Sequence, residues 1–87
     1  MRLDKFLKVS RLIKRRPVAK KIAEQNRIKV NGVIAKPSVN IEVGDEIEVT
    51  FGQTIVTVKV LKVREHVKKD EATMLYEVIN EIKRNED

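Results

Sequence analysis

Arg27-Ile28-Lys29-Val30-Asn31-Gly32-Val33-Ile34-Ala35 is the stretch where the chain changes period, and the fold turns on it. Asn-Gly between two short apolar runs is the strongest two-residue hairpin signal, because both central residues of a type I′ turn need positive φ. Before this stretch the spacing is helical. Projected at about 100° per residue, Leu3, Phe6, Leu7, Ser10 and Ile13 share one arc, with Asp4, Lys5, Lys8 and Arg11 opposite. Lys14 would fall back on the apolar arc, so this helix is expected to end near Ser10–Leu12, followed by a basic turn to Arg16. A second helix is expected to start at Pro17, whose fixed φ and missing N–H suit the first helical position. It sets Val18, Ala19, Ile22 and Ala23 against Lys20, Lys21 and Glu24, and Asn26 stands where a left-handed cap is expected. The two helices form an αα-hairpin.

Beyond the Asn-Gly turn, Pro37 to Asn40 reads as a connection and Val43-Gly44-Asp45 as a turn. Glu46–Phe51 alternates cleanly; Gly52-Gln53 leads into Thr54–Val63, with Val56, Val58 and Val60 on one face. Short strands joined by tight turns predict a small antiparallel sheet. Arg64–Lys69 is expected to be a linker. From Asp70 to about Arg84 helical spacing returns, because Leu75, Val78, Ile79 and Ile82 share an arc opposed by Thr73, Glu77, Asn80 and Glu81. Asp70 and Glu71 open this segment and Lys83 and Arg84 close it, as a helix dipole prefers; residues 85–87 are expected to fray. The expected class is α+β, with hairpin and sheet over residues 1–63 and a linker plus C-terminal helix over 64–87, packed on or beside it.

The chain has 87 residues, 19 Lys+Arg against 13 Asp+Glu, one His and no Cys, which fits one small domain. The charge is unevenly spread: residues 1–40 hold 12 basic and two acidic side chains (+10), and residues 41–87 hold seven and 11 (−4). No run approaches the ~20 apolar residues of a membrane span. Leu3, Phe6 and Leu7 are too interrupted by Asp4, Lys5 and Lys8 to form a signal core. The lack of cysteine removes disulfides and thiolate metal sites and suits a reducing cytosol, so a cytoplasmic protein is expected. Nor is the first helix suited to lie on a membrane, since it is short, lacks Trp and needs its apolar arc for the core.

Arg15-Arg16 directly before the second helix is the most telling feature. Two guanidinium groups at a positive helix end oppose the dipole, which makes sense if an anion sits between them and the helix N–H groups. Lys20 lies one turn on, and Arg2, Lys5, Lys8 and Arg11 flank it from the first helix. The alternative is a solvated basic face with no partner; nine basic residues against one acid in residues 1–21 weigh against it. Phe6, Phe51 and Tyr76 are the only aromatics and fall on or at the edge of core faces, leaving no platform on which to stack splayed bases. An Arg/Lys surface instead suits the backbone and shape of folded RNA. Catalysis has little support. His66, the only imidazole, sits beside Glu65 in a charged linker and reads as solvated. Glu42, Asp45, Glu46 and Glu48 suggest a cation site less than a strand edge kept soluble. No catalytic residue, metal ligand or cofactor is assigned, and a non-enzyme is expected.

Arg2-Leu3-Asp4-Lys5-Phe6-Leu7, Ser10-Arg11, Arg15-Arg16, Ala19-Lys20, Arg27-Ile28-Lys29-Val30-Asn31-Gly32 and Val43-Gly44-Asp45-Glu46-Ile47 occur in order. Together they resemble the S-four RNA-binding domain, named after protein four of the small ribosomal subunit, over about residues 1–50. The resemblance implies an αα-hairpin on a small bent antiparallel sheet, with RNA on the hairpin's basic face. The stand-alone length and the continuation beyond Phe51 look like the RqcP family of bacterial ribosome-associated quality control factors, and are similar also to heat-shock ribosome-binding proteins. The RqcP likeness implies binding to the obstructed large ribosomal subunit between large-subunit rRNA and peptidyl-tRNA, assisting the tailing factor RqcH in adding alanine. It implies that Arg2 and Arg16 hold rRNA phosphates and that Asp4 orients neighbouring basic groups. Lys5, Lys8, Arg11, Lys14, Arg15 and Lys20 match the basic surface less specifically. Pro17 stands where a hydroxyl cap is common in the family, and Asn26 where Gly is common.

The protein is expected to be a monomer off the ribosome. A heat-shock or assembly factor on the same domain is the leading alternative, and a protein-interaction module using Glu77 and Glu81 is a third. Arg16→Ala is expected to weaken RNA binding in a filter or anisotropy assay, while the thermal midpoint stays level or rises slightly as the dipole conflict is relieved.

Overall fold

A seven-residue helix cannot hold itself together in water, so α1 (Leu3–Val9) exists through what it buries. Leu3, Phe6 and Leu7 are wholly inaccessible and form one cluster with Ala19, Ala23, Ile28, Ile47, Val49, Val58 and Val60. The computed structural model describes residues 1–13 and 16–83, without the side chains of Arg16 and Pro17. Lys14, Arg15 and residues 84–87, including the expected helix end at Arg84 and the expected fraying, lie outside the described residues.

α1 stops where its pattern breaks. Ser10 caps it, Arg11 turns left-handed at φ 60°, and the Arg11 and Ile13 amides donate to the carbonyls of Lys8 and Leu7. Ser10 is fully buried but satisfied, its hydroxyl donating to Leu7 O and accepting from the Leu12 amide. α2 (Arg16–Glu24) begins one residue before Pro17. It closes in a Schellman arrangement: Asn26 at φ 59° donates to Ala23 O and Arg27 donates to Ile22 O. The left-handed cap expected at Asn26 is therefore present.

Five strands follow: β1 (Ile28–Val30), β2 (Val33–Ile34), β3 (Glu46–Phe51), β4 (Thr54–Val60) and β5 (Tyr76–Lys83). They make an antiparallel sheet in the order β2-β1-β3-β4-β5. Asn31 (φ 52°) and Gly32 (φ 83°) form the predicted turn between β1 and β2. Asn31 does a second job, holding the Val43–Asp45 turn: its Nδ2 donates to Asp45 Oδ1 at 3.1 Å and its Oδ1 accepts from the Glu46 amide at 2.9 Å. Register aligns Ile47 with Val58 and Val49 with Val56, so one face carries the core. Glu46 and Glu48 lie on the other face of β3, which is interior rather than an edge, and Glu48 faces Lys29 at 3.9 Å.

The α+β class holds, with the hairpin on the sheet, but the C-terminal segment departs from the helix expected over Asp70–Arg84. Helical geometry is limited to a 3-10 helix, Lys69–Leu75, and Tyr76–Lys83 is strand β5. The helical arc was real as a pattern, yet Val78, Ile79 and Ile82 are β-branched and the open side of β4 has backbone groups needing partners. β5 pairs along all of β4, from Val60–Tyr76 to Thr54–Lys83, with a bulge opposite Thr57 and Val58 that takes up one residue. The bulge shifts the alternation and so hides the period of two. β4 itself ends at Val60 rather than Val63, because the Leu61 and Lys62 amides donate to Leu75 O. Leu75, 2% exposed, ties this segment to the core. Leu75→Ala is expected to cost about 2–5 kcal/mol in urea unfolding. The loss should come in one cooperative transition affecting helical and sheet signals together.

Candidate nucleic-acid interface

Cations at Arg2, Lys5, Lys8 and Arg11 recur every third residue. Lys5 and Lys8 lie within α1, where three residues advance the helix by about 300°, while Arg2 is its N-cap in extended backbone and Arg11 lies past its C-cap in left-handed backbone. The row divides between two recesses. On one flank, Arg2 joins Lys20 of α2 and Lys36 of the loop after β2 around a recess of about 380 Å³, with Glu24, Asn26 and Ser38 on its wall. On the other, Lys5, Lys8 and Arg11 surround a recess of about 280 Å³, closed by Glu65, His66 and Val67.

Arg2 is held rather than loose. Asp4 has a side chain only 3% exposed, and its carboxylate accepts from Arg2 Nε at 3.2 Å and Nη2 at 3.3 Å. Asp4 Oδ1 also accepts from the Lys5 amide at 2.8 Å. A buried carboxylate needs such partners. The Arg2 side chain stays 52% exposed, so a guanidinium oriented from one side keeps N–H groups for a ligand on the other. The N-terminus of α1 is not itself an anion seat. Its Leu3 amide donates to Val39 O at 2.8 Å and its Asp4 amide to Pro37 O at 3.1 Å, while the Met1 amino group donates to Asn40 Oδ1 at 2.6 Å.

Arg11 carries a conformational cost. A non-glycine residue in the left-handed region loses about 1 kcal/mol or more relative to right-handed backbone. Glycine would avoid it, but would remove a cation from the second recess. Across that recess Lys5 Nζ donates to Glu65. The hydrogen bond and positive charge of Lys5 hold the Glu65 carboxyl below its usual range.

The structure thus brings Arg2 and Lys20 together on one flank, brings Lys5, Lys8 and Arg11 together on the other, and bonds Asp4 to Arg2. Arg16 opens α2. Lys14 and Arg15 lie outside the described residues. Two members were not legible in the sequence. Lys36 is a lone cation in a connection and reaches the site only through the path of the loop. His66 is exposed, as expected, yet lines the Lys5 recess. Among the described residues no group of three or more His, Cys, Asp and Glu is placed to hold a metal, and no helix is long and apolar enough to cross a membrane. Both oxygens of Asp45, one of the four acids weighed as a cation site, are engaged by Asn31 Nδ2 and the Glu42 amide.

The S4 domain profile matches residues 1–47. Relatives named RQC P-site tRNA stabilizing factor from Listeria monocytogenes and Bacillus subtilis are 56% and 54% identical over 86 residues. Each alignment covers 99% of this chain, and 94% and 100% of those proteins respectively. Trimeric Heat Shock Protein 15 from Vibrio cholerae has the same fold, with a TM-score of 0.83 and 33% identity, over 90% of this chain and 80% of that one.

Arg11→Gly is expected to stabilise the fold by about 0.5–1 kcal/mol in urea unfolding while weakening RNA binding, the opposite signs marking a residue kept for its charge. Lys36→Ala should leave stability level and reduce the salt dependence of RNA binding by about one unit of log–log slope.

Proposed function

The chain belongs to the S4 domain family and, within it, to the proteins named RQC P-site tRNA stabilizing factor, and we propose that it holds peptidyl-tRNA against large-subunit rRNA on obstructed large ribosomal subunits. It is a ribosome-associated RNA-binding protein. In the proposed role it catalyses nothing: it keeps the tRNA placed while an RqcH-type tailing factor extends the stalled chain with alanine. It works in the cytoplasm and is a monomer off the ribosome.

One observation supports the bridging role: the cations in and beside α1 are divided between two recesses that, among the described residues, have no lining residue in common. A single groove suits a single RNA element, whereas two distinct cation clusters around one hairpin suit two. Arg2, with Lys20, Lys36 and Arg16, takes rRNA phosphates in this reading. Lys5, Lys8 and Arg11 face the tRNA, and Lys14 and Arg15 add charge to the turn between the helices. Asp4 contributes by fixing the Arg2 guanidinium in advance, so less rotamer freedom is lost when a phosphate arrives. The mechanism is positional, since a tRNA held in one geometry presents its ester to the incoming chemistry without further search.

The shared fold with a heat-shock protein supports a second reading, an assembly or heat-shock factor using the same RNA surface. Crosslinking of the protein in cells, with the RNA mapped, separates the two. Crosslinks to the large subunit together with peptidyl-tRNA support bridging, crosslinks to assembly precursors the second reading, and recovery of protein partners free of RNA a protein-interaction module. If about six phosphates are neutralised, log affinity should fall against log salt with a slope of roughly −4 to −5. An affinity nearly independent of salt would contradict an electrostatic interface.

A further inference from the structure

The second recess has a wall that comes from outside the hairpin. Glu65, His66 and Val67 lie well beyond residue 47, where the S4 match ends, yet they face Lys5, Lys8 and Arg11. The segment is anchored independently of that contact, because Val63 and Val67 pack against the core and the Leu61 and Lys62 amides are bonded to Leu75 O. Among the described residues Glu65 is the sole acid lining the recess, its side chain is 65% exposed, and its carboxylate is joined to Lys5 Nζ. A carboxylate and a phosphate oxygen ask the same thing of an ammonium group.

We propose that Glu65 is a specificity-determining residue of the RNA face: it occupies Lys5 in the RNA-free protein and is exchanged for a backbone phosphate when RNA docks. This rests on the reading that Lys5, Lys8 and Arg11 bind RNA. An exposed ion pair is weak, so the exchange is easily made when a phosphate is held by three cations at once. A phosphate that reaches Lys5 alone gains little over the carboxylate it displaces and is repelled by it. Loose single strands are therefore discriminated against, and RNA whose folded backbone meets Lys5, Lys8 and Arg11 together is favoured, which is selection by a built-in repulsive element.

The test uses the full chain, with a uridine oligonucleotide and a folded tRNA as probes and the thermal midpoint measured alongside. Glu65→Gln should tighten oligonucleotide binding by about two- to fivefold, the scale of an exposed ion pair. It should tighten tRNA binding less and leave the midpoint level. The gain should shrink in the Lys5→Ala background, and Glu77→Gln, an equal change of charge on β5, should not reproduce it. An equal gain from Glu77→Gln would reduce the effect to net charge and overturn the proposal. So would a Glu65→Gln protein with unchanged affinities, or one that binds less and melts earlier, since that would make Glu65 a strut. If Lys5→Ala and Lys8→Ala weaken tRNA binding while Glu65→Gln changes nothing, the exchange alone fails. If neither lysine matters, the reading of this face as the tRNA side fails with it.

Discussion

The complete burial of Leu3, Phe6 and Leu7 is the constraint on which the rest depends. α1 is too short to be stable by itself, so its apolar arc has to be buried against α2 and the sheet, and once that happens its cations are left on the outer surface, where Arg2 and Lys5 each meet a carboxylate. The loop after β2 completes the docking by accepting the first amides of the helix through Val39 and Pro37. The same contact carries Lys36 next to Arg2 and Lys20. Packing and site are thus one arrangement: what seats the helix also assembles the first recess.

Gathering this many cations on a small hairpin creates repulsion that is relieved in two different ways. Asp4 is buried, bonded to Arg2 from beneath, and acts as a permanent part of the site. Glu65 is exposed and meets Lys5 across the second recess. The first kind of carboxylate orients a cation without covering it; the second covers it. The difference is set by burial, because a desolvated carboxylate is costly to separate from its partner and a hydrated one is not. The excess of acids in the C-terminal half serves a further purpose on the outer face of the sheet, where Glu48 stands against Lys29, and Glu46 and Glu77 are both in register with Lys59.

Local patterns made much of this legible. The apolar arc of α1, the Ala19–Ala23 side of α2, the Asn31-Gly32 turn, the left-handed Asn26 and the alternation of Glu46–Phe51 depend on neighbours within a few residues, and each is present, whereas Val18, expected on the apolar side of α2, is exposed. The C-terminal segment was misleading because its spacing at Leu75, Val78, Ile79 and Ile82 satisfies a helix as long as the bulge against β4 is unknown. The need that decided it, the unpaired side of β4, belongs to residues some twenty positions away. Lys36 and His66 were missed for the same reason: neither lies in a periodic element, and only chain path makes them neighbours of α1.

Sequence alone determined that the chain has a basic hairpin seated on a small antiparallel sheet, and that its excess of positive charge is confined to the first 40 residues. Both follow from side-chain period and from where the cations fall along it. Tertiary structure decided that the basic row is divided between two recesses rather than gathered in one, since the neighbours of each part are supplied by different distant segments, Lys36–Ser38 for one and Glu65–Val67 for the other. It also decided that Tyr76–Lys83 is a strand, because hydrogen-bonding groups left open on β4 outweigh a helical pattern that had no partner of its own.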